Sequence, residues 1–148
     1  MRNGSLFFFA FAIVCILTTL PSCRDPKPSP EEKFLGVMAG SWISSSKGVT
    51  LDNVAVNNVF NGFTITFTKE SAYTTQNGNA PIWPASGSFT LTSVAGATSF
   101  TMKRTDGVEV TIVSPSADKL TLEFQYVGKS SRQNSVSGKY VFDLVRKP

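Results

Sequence analysis

Side chains able to make or break bonds are scarce in this sequence. Its 148 residues include no histidine and only two cysteines, Cys15 and Cys23. Without imidazole the usual general base is missing, and so is the commonest zinc ligand. Carboxylates remain, with Glu31, Glu32, Asp52, Glu70, Asp106, Glu109, Glu123 and Asp143 as candidates. Glycoside hydrolysis needs two such groups facing each other across the bond to be cut, and no spacing here marks a pair. Glu109, Glu123 and Asp143 alternate with apolar residues, which places them on a solvated strand face. The pattern argues against an enzyme and implies neither a metal nor a cofactor.

Residue types suited to recognition are better represented. Trp83 stands in Pro81-Ile82-Trp83-Pro84, downstream of the turn residues Asn77-Gly78-Asn79. Flanking prolines hold an indole rigidly, and rigid aromatic groups lose little freedom on binding. Tyr73 lies on the preceding apolar-alternating segment. Trp83 and Tyr73 are therefore the candidate ligand contacts, for a small hydrophobic or amphipathic molecule or for a carbohydrate. Trp83 has a structural alternative, as a plug over the mouth of a barrel. Val54 and Val56, in the poorly patterned stretch 51–60, offer an exposed edge or apolar patch for a protein partner.

Cys23 carries its own context. Arg2 precedes an apolar run from Leu6 to Leu20, and Leu20-Pro21-Ser22 leads to Cys23. The run is about 15 residues, short of the roughly 20 that span a bilayer. It has the form of a secretory signal peptide over residues 1–22. The residues before Cys23 resemble a bacterial lipoprotein signal, with Pro21 as a departure from the usual pattern. That resemblance implies cleavage before Cys23, acyl chains on its thiol and a membrane tether. Arg24, by similarity to enterobacterial lipoproteins, favours the outer membrane. Removal of residues 1–22 leaves 126 residues, enough for one core. Lipidated Cys23 would leave no partner for a disulfide. The formal charge of +4 falls to about +3 without Arg2. Its densest spots, Lys103-Arg104 and Arg146-Lys147, are not runs, so nucleic acid is not expected as a partner.

The elements that must position these residues are mostly strands. Residues 23–30 read as the lipidated cysteine and a proline-rich spacer. Ser29-Pro30-Glu31-Glu32 has the form of a capped helix start, and Phe34, Leu35, Val37 and Met38 follow at helical spacing. Beyond Ser41 the period becomes two. Phe63, Ile65 and Phe67 alternate with threonines, as do Phe89 and Leu91. The same period runs through Phe100 and Met102, Val108 to Ile112, Leu120 to Tyr126, and Tyr140 to Leu144. One apolar face and one threonine-rich face mark antiparallel strands with a single core side. Turns fall at Thr105-Asp106-Gly107 and at 114–118, and the polar segment 128–138 forms a longer connection. Strands near Trp42, near Val49 to Val56 and near Tyr73 bring the total to eight or nine. The expected fold is all-β: an up-and-down meander closing into an eight-stranded barrel over residues 31–148, with a short N-terminal helix. A β-sandwich is the alternative.

The chain resembles small lipocalin-like domains carried as lipoproteins by Bacteroidetes-type bacteria. The residues that carry the likeness are the helix before Gly40-Ser41-Trp42, the hairpin from Phe67 to Tyr73, Trp83 with Ser86-Gly87-Ser88-Phe89, and the ending Tyr140 to Arg146. In lipocalins a Gly-x-Trp opens the first strand, and its indole packs under the barrel floor against a late arginine. The resemblance gives those structural roles to Trp42 and Arg146. The second lipocalin motif has a Thr-Asp pair; Thr105-Asp106 has the letters but sits in an earlier turn. The functional expectation is a lipid-anchored envelope protein that binds a small apolar ligand at the barrel mouth. A structural or interaction module of an envelope complex is the alternative. A Cys23→Ser chain is expected to lose incorporation of radiolabelled palmitate and to leave the membrane fraction of its native host.

Overall fold

The computed structural model describes residues 27–93, 99–113, 115–128 and 137–148. The proposed signal peptide, Cys23 and the first residues of the spacer lie outside the described residues, as does most of the 128–138 segment. The first element is helix α1 (Pro30–Met38). Nine strands follow: β1 (Gly40–Leu51), β2 (Val54–Ala55), β3 (Thr64–Phe67), β4 (Ala72–Gln76), β5 (Ser86–Ser93), β6 (Phe100–Arg104), β7 (Glu109–Val113), β8 (Lys119–Tyr126) and β9 (Gly138–Arg146). From β3 onward each strand pairs antiparallel with the next, and β1 pairs with both β3 and β9. The result is a closed eight-stranded barrel, not a sandwich. The two-residue β2 is an addition paired to the end of β1.

Closure removes the free edges that an open sheet would expose. The period-two pattern then has one inside. Phe63, Ile65, Met102, Val110, Ile112, Leu122 and Phe142 are fully buried, and Phe67, Phe89, Phe124 and Tyr140 nearly so. Burying each of these side chains contributes roughly 1.5–3 kcal/mol. An eight-stranded barrel has an interior just wide enough for side chains, and these aromatics fill it. Phe60 and Phe63 both pack on Phe142, with ring centroids 5.0 and 4.9 Å away. Phe124 stacks on both Tyr140 and Phe142. Phe100 is only partly buried because its ring faces α1, stacked on Phe34 at 4.0 Å.

The start of the barrel differs from the sequence expectation in one respect. Trp42 and Val49 do not sit on separate strands: both belong to the twelve-residue β1. Its pairing with β9 jumps from Ser44↔Leu144 to Val49↔Phe142. Four residues, Ser45 to Gly48, therefore stand opposite Asp143 alone. This is a large β-bulge. Inside it the alternation of apolar and polar residues stops, which is why the two halves read as separate elements.

Helix α1 closes the floor of the barrel. Ser29 and Glu32 exchange the two hydrogen bonds of a capping box, 3.1 Å from Glu32 N–H to Ser29 Oγ and 2.7 Å from Ser29 N–H to Glu32 Oε2. Phe34 and Met38 are the buried side of the helix. Glu31 reaches Ser93 at the end of β5, accepting from its backbone N–H and its hydroxyl. Those bonds hold the Glu31 carboxyl below the usual carboxylate range. Trp42 is fully buried, and its Nε1 donates to the Met38 carbonyl at 2.8 Å. The Arg146 guanidinium lies over the Trp42 ring, 4.4 Å from its centroid. It also donates to the carbonyls of Val37, Ala39 and Ala117 at 2.5, 3.0 and 2.7 Å. One side chain thus satisfies the last turn of the helix and covers the indole.

The connection 68–71 lies at this floor with the helix, as do the end of β5, the start of β6, the end of β7 and the start of β8. Loops 52–63, 77–85 and 105–108, together with the end of β8 and the start of β9, lie at the opposite end, the mouth. Replacing Arg146 with alanine removes three carbonyl partners and the ring contact. The substitution is expected to lower unfolding free energy by about 2 kcal/mol, measured as a lower urea midpoint with unchanged slope.

Candidate functional site

The mouth is where the sequence places binding, and the loop 77–85 dominates it. Trp83 N–H donates to the Gly78 carbonyl at 3.1 Å, and Ile82 N–H to the Asn79 carbonyl at 3.1 Å. Thr75 Oγ1, on β4, donates to the Pro84 carbonyl at 2.9 Å. Asn77 and Asn79 both take positive φ, at 56° and 51°, a conformation asparagine tolerates better than most residues. These bonds fold the loop inward and carry Ile82 and Trp83 into the barrel.

Trp83 is 1 % exposed and Tyr73 is 2 % exposed. They meet edge-on, with ring centroids 5.5 Å apart. Trp83 also touches the rings of Phe63, Phe124 and Phe142 at 6.2, 5.6 and 6.0 Å. The indole is therefore a stopper sunk among the core aromatics. Tyr73 lies across its cross-strand partner Gly87. A Cβ at Gly87 would sit 2.6 Å from the Tyr73 hydroxyl oxygen, so this position must be bare for the ring to lie there. Burial pushes the Tyr73 hydroxyl above its ordinary pKa, and the nearby Arg104 charge opposes the shift.

Arg104 is the residue that sequence reasoning missed. It is 1 % exposed and is the charged member of the core. Its guanidinium carbon lies 4.6 Å from the Trp83 ring centroid and 5.8 Å from that of Phe124. Nη1 donates to the Ile82 carbonyl at 2.8 Å. Nε and Nη2 both donate to the Asp106 carboxylate, the first at 3.1 Å. Asp106 accepts in addition from Val108 N–H at 3.2 Å, so the Thr105-Asp106-Gly107 turn holds the carboxylate under the arginine. The signal was present in the sequence: Arg104 has the same parity as Phe100 and Met102, which alternate inward. Its charge, beside Lys103, instead marks it as part of a basic spot.

The other carboxylates are dispersed, each engaged locally. Glu109 pairs with Lys103 at 3.6 Å and Glu123 with Lys139 at 2.7 Å. Asp143 accepts from Thr121 Oγ1 at 2.9 Å, and Asp52 from Lys139 N–H at 2.8 Å. Among the described residues no three of His, Cys, Asp and Glu come together as metal ligands do. Among the described residues, the buried Ser44 Oγ and Trp83 Nε1 lack a hydrogen-bond partner. Val54 is exposed and Val56 partly buried against the core.

Comparison with known proteins finds no matching family model, no matching curated protein and no matching solved structure.

Arg104→Leu removes the donor to Ile82 and the cation over Trp83, and leaves Asp106 free to turn to water. It is expected to cost about 3 kcal/mol of stability. In a Trp42→Phe background it is also expected to shift the Trp83 emission to longer wavelength as the stopper loosens. Unchanged emission together with unchanged stability would show that the loop holds itself.

Proposed function

We propose that this chain is a lipid-anchored, lipocalin-like envelope protein that binds a partner on its outer surface, without catalysis. The observation that carries the reading is the filled interior: both ends of the barrel are stoppered, and the axis between them holds the protein's own aromatic rings. Recognition then falls to the outside. The direction of the chain supports the mouth as the recognising end. Residues 27–30 enter at the floor beside α1, so a tether at Cys23 turns the floor to the membrane and the mouth away from it.

Exposed apolar residues support the same end. Val54, Val59 and Val127 are 67 %, 47 % and 69 % exposed and lie at the mouth, against Val37, 43 % exposed, on the floor helix. A partner that covers them gains the burial they forgo in the free protein. The other reading is a small apolar or amphipathic molecule held by Trp83 and Tyr73. It requires the 77–85 loop to withdraw and Arg104 to release the Ile82 carbonyl.

Photo-crosslinking residues placed singly at Val59, Val127 and Val37 test the proposal in the native host. Discrete cross-linked species are expected from Val59 and Val127, and none from Val37 on the floor helix. An organic extract of the purified protein carrying one apolar molecule per chain, with no crosslinks from the mouth, would reverse the reading in favour of a carrier.

A further inference from the structure

The bulge in β1 leaves a breach in the barrel wall. β3 covers β1 only from Gly40 to Ile43, and β2 covers only Thr50 and Leu51. Between them the wall is held by isolated bonds, Ser44 N–H to the Phe63 carbonyl at 3.2 Å, Val56 N–H to the Val49 carbonyl at 2.9 Å and Val49 N–H to Asn57 Oδ1 at 2.7 Å. Asn57 lies directly over Gly48, where a Cβ would stand 1.9 Å from its Oδ1 and where φ is +71°. Gly48 is thus bare for two reasons, its backbone angle and the side chain laid across it.

An open pocket of about 460 Å³ occupies the breach. Its volume lies in the range of small-molecule sites. Ile43 lines it, with the buried Phe60 and Phe63 beneath, and Ser45, Asn57 and Asn61 supply polar groups. None of the residues lining it is charged. Asn57 spends its oxygen on Val49, and its amide NH2 makes no hydrogen bond among the described residues. Asn61 is exposed and makes no hydrogen bond among the described residues. Ser44, also on the lining, has its buried hydroxyl unpartnered. A buried hydroxyl without a partner costs free energy that an incoming polar group recovers.

We propose that this pocket binds a neutral sugar ring. Side-chain amides both donate and accept, as sugar hydroxyls do. The absence of charge disfavours phosphates and uronic acids. The proposal stands apart from the reading of the mouth as a partner surface, and neither requires the other.

The test is a titration of the 15N-labelled protein with methyl α-D-glucopyranoside, methyl β-D-galactopyranoside and N-acetyl-D-glucosamine, each to 100 mM. Saturable shifts of the Ser44, Ser45, Gly48 and Gly62 amides with at least one of them are expected. Asn61→Ala, at an exposed side chain with no bond to lose, is expected to weaken that binding at least five-fold at unchanged melting temperature. Tighter binding of a β-1,4-linked dimer of N-acetylglucosamine than of the monomer would mark a glycan chain as the source, and equal binding a free sugar or chain end. Linear, unsaturated shifts with all three sugars, saturable shifts mapping elsewhere, or an unaffected Asn61→Ala would overturn the proposal.

Discussion

A guanidinium lying on an indole secures each end of this barrel. Arg146 on Trp42 holds the floor and Arg104 on Trp83 holds the mouth. The second is the more demanding. Taking a cation out of water is costly, and it persists only where hydrogen bonds and an opposite charge offset the loss. Arg104 has both, in the Ile82 carbonyl and the Asp106 carboxylate. A barrel of this size has two open ends to seal, and here one chemistry seals both.

The architecture was legible because burial in a closed sheet has period two, and the phenylalanines keep that period from Phe63 to Phe142. The capping box of α1 was legible for the same kind of reason, since Ser29 and Glu32 meet through local bonds. The single long β1 was not, because Ser45 to Gly48 stand out of register and no local rule records a register jump between strands about a hundred residues apart. Arg104 escaped because charge outweighs parity in any reading that sees one residue at a time. The depth of Trp83 depends on contacts to four other elements, so its sequence context fixes its rigidity but not its burial.

The filled interior changes what the fold offers. A hollow barrel sorts molecules by size and shape within a cavity; a solid one is a scaffold whose irregularities do the recognising. In this protein the irregularities are the mouth loops and the breach beside Gly48, the two places proposed above for recognition. Both are places where the strand ladder stops. The regular outer face, of threonines and paired charges, is by contrast satisfied by its own neighbours.

The position of β1 has a mechanical consequence. It follows α1 directly and runs from floor to mouth, hydrogen-bonded on one flank to β9 and on the other to β3 and then β2. A load applied between the chain ahead of α1 and an object gripped at the mouth pulls along this strand. It must slide β1 past its neighbours, so the ladder bonds share the force in parallel instead of parting one after another. The four slack residues at the bulge can straighten before that limit is reached, giving the strand a short extensible link between its two rigid halves.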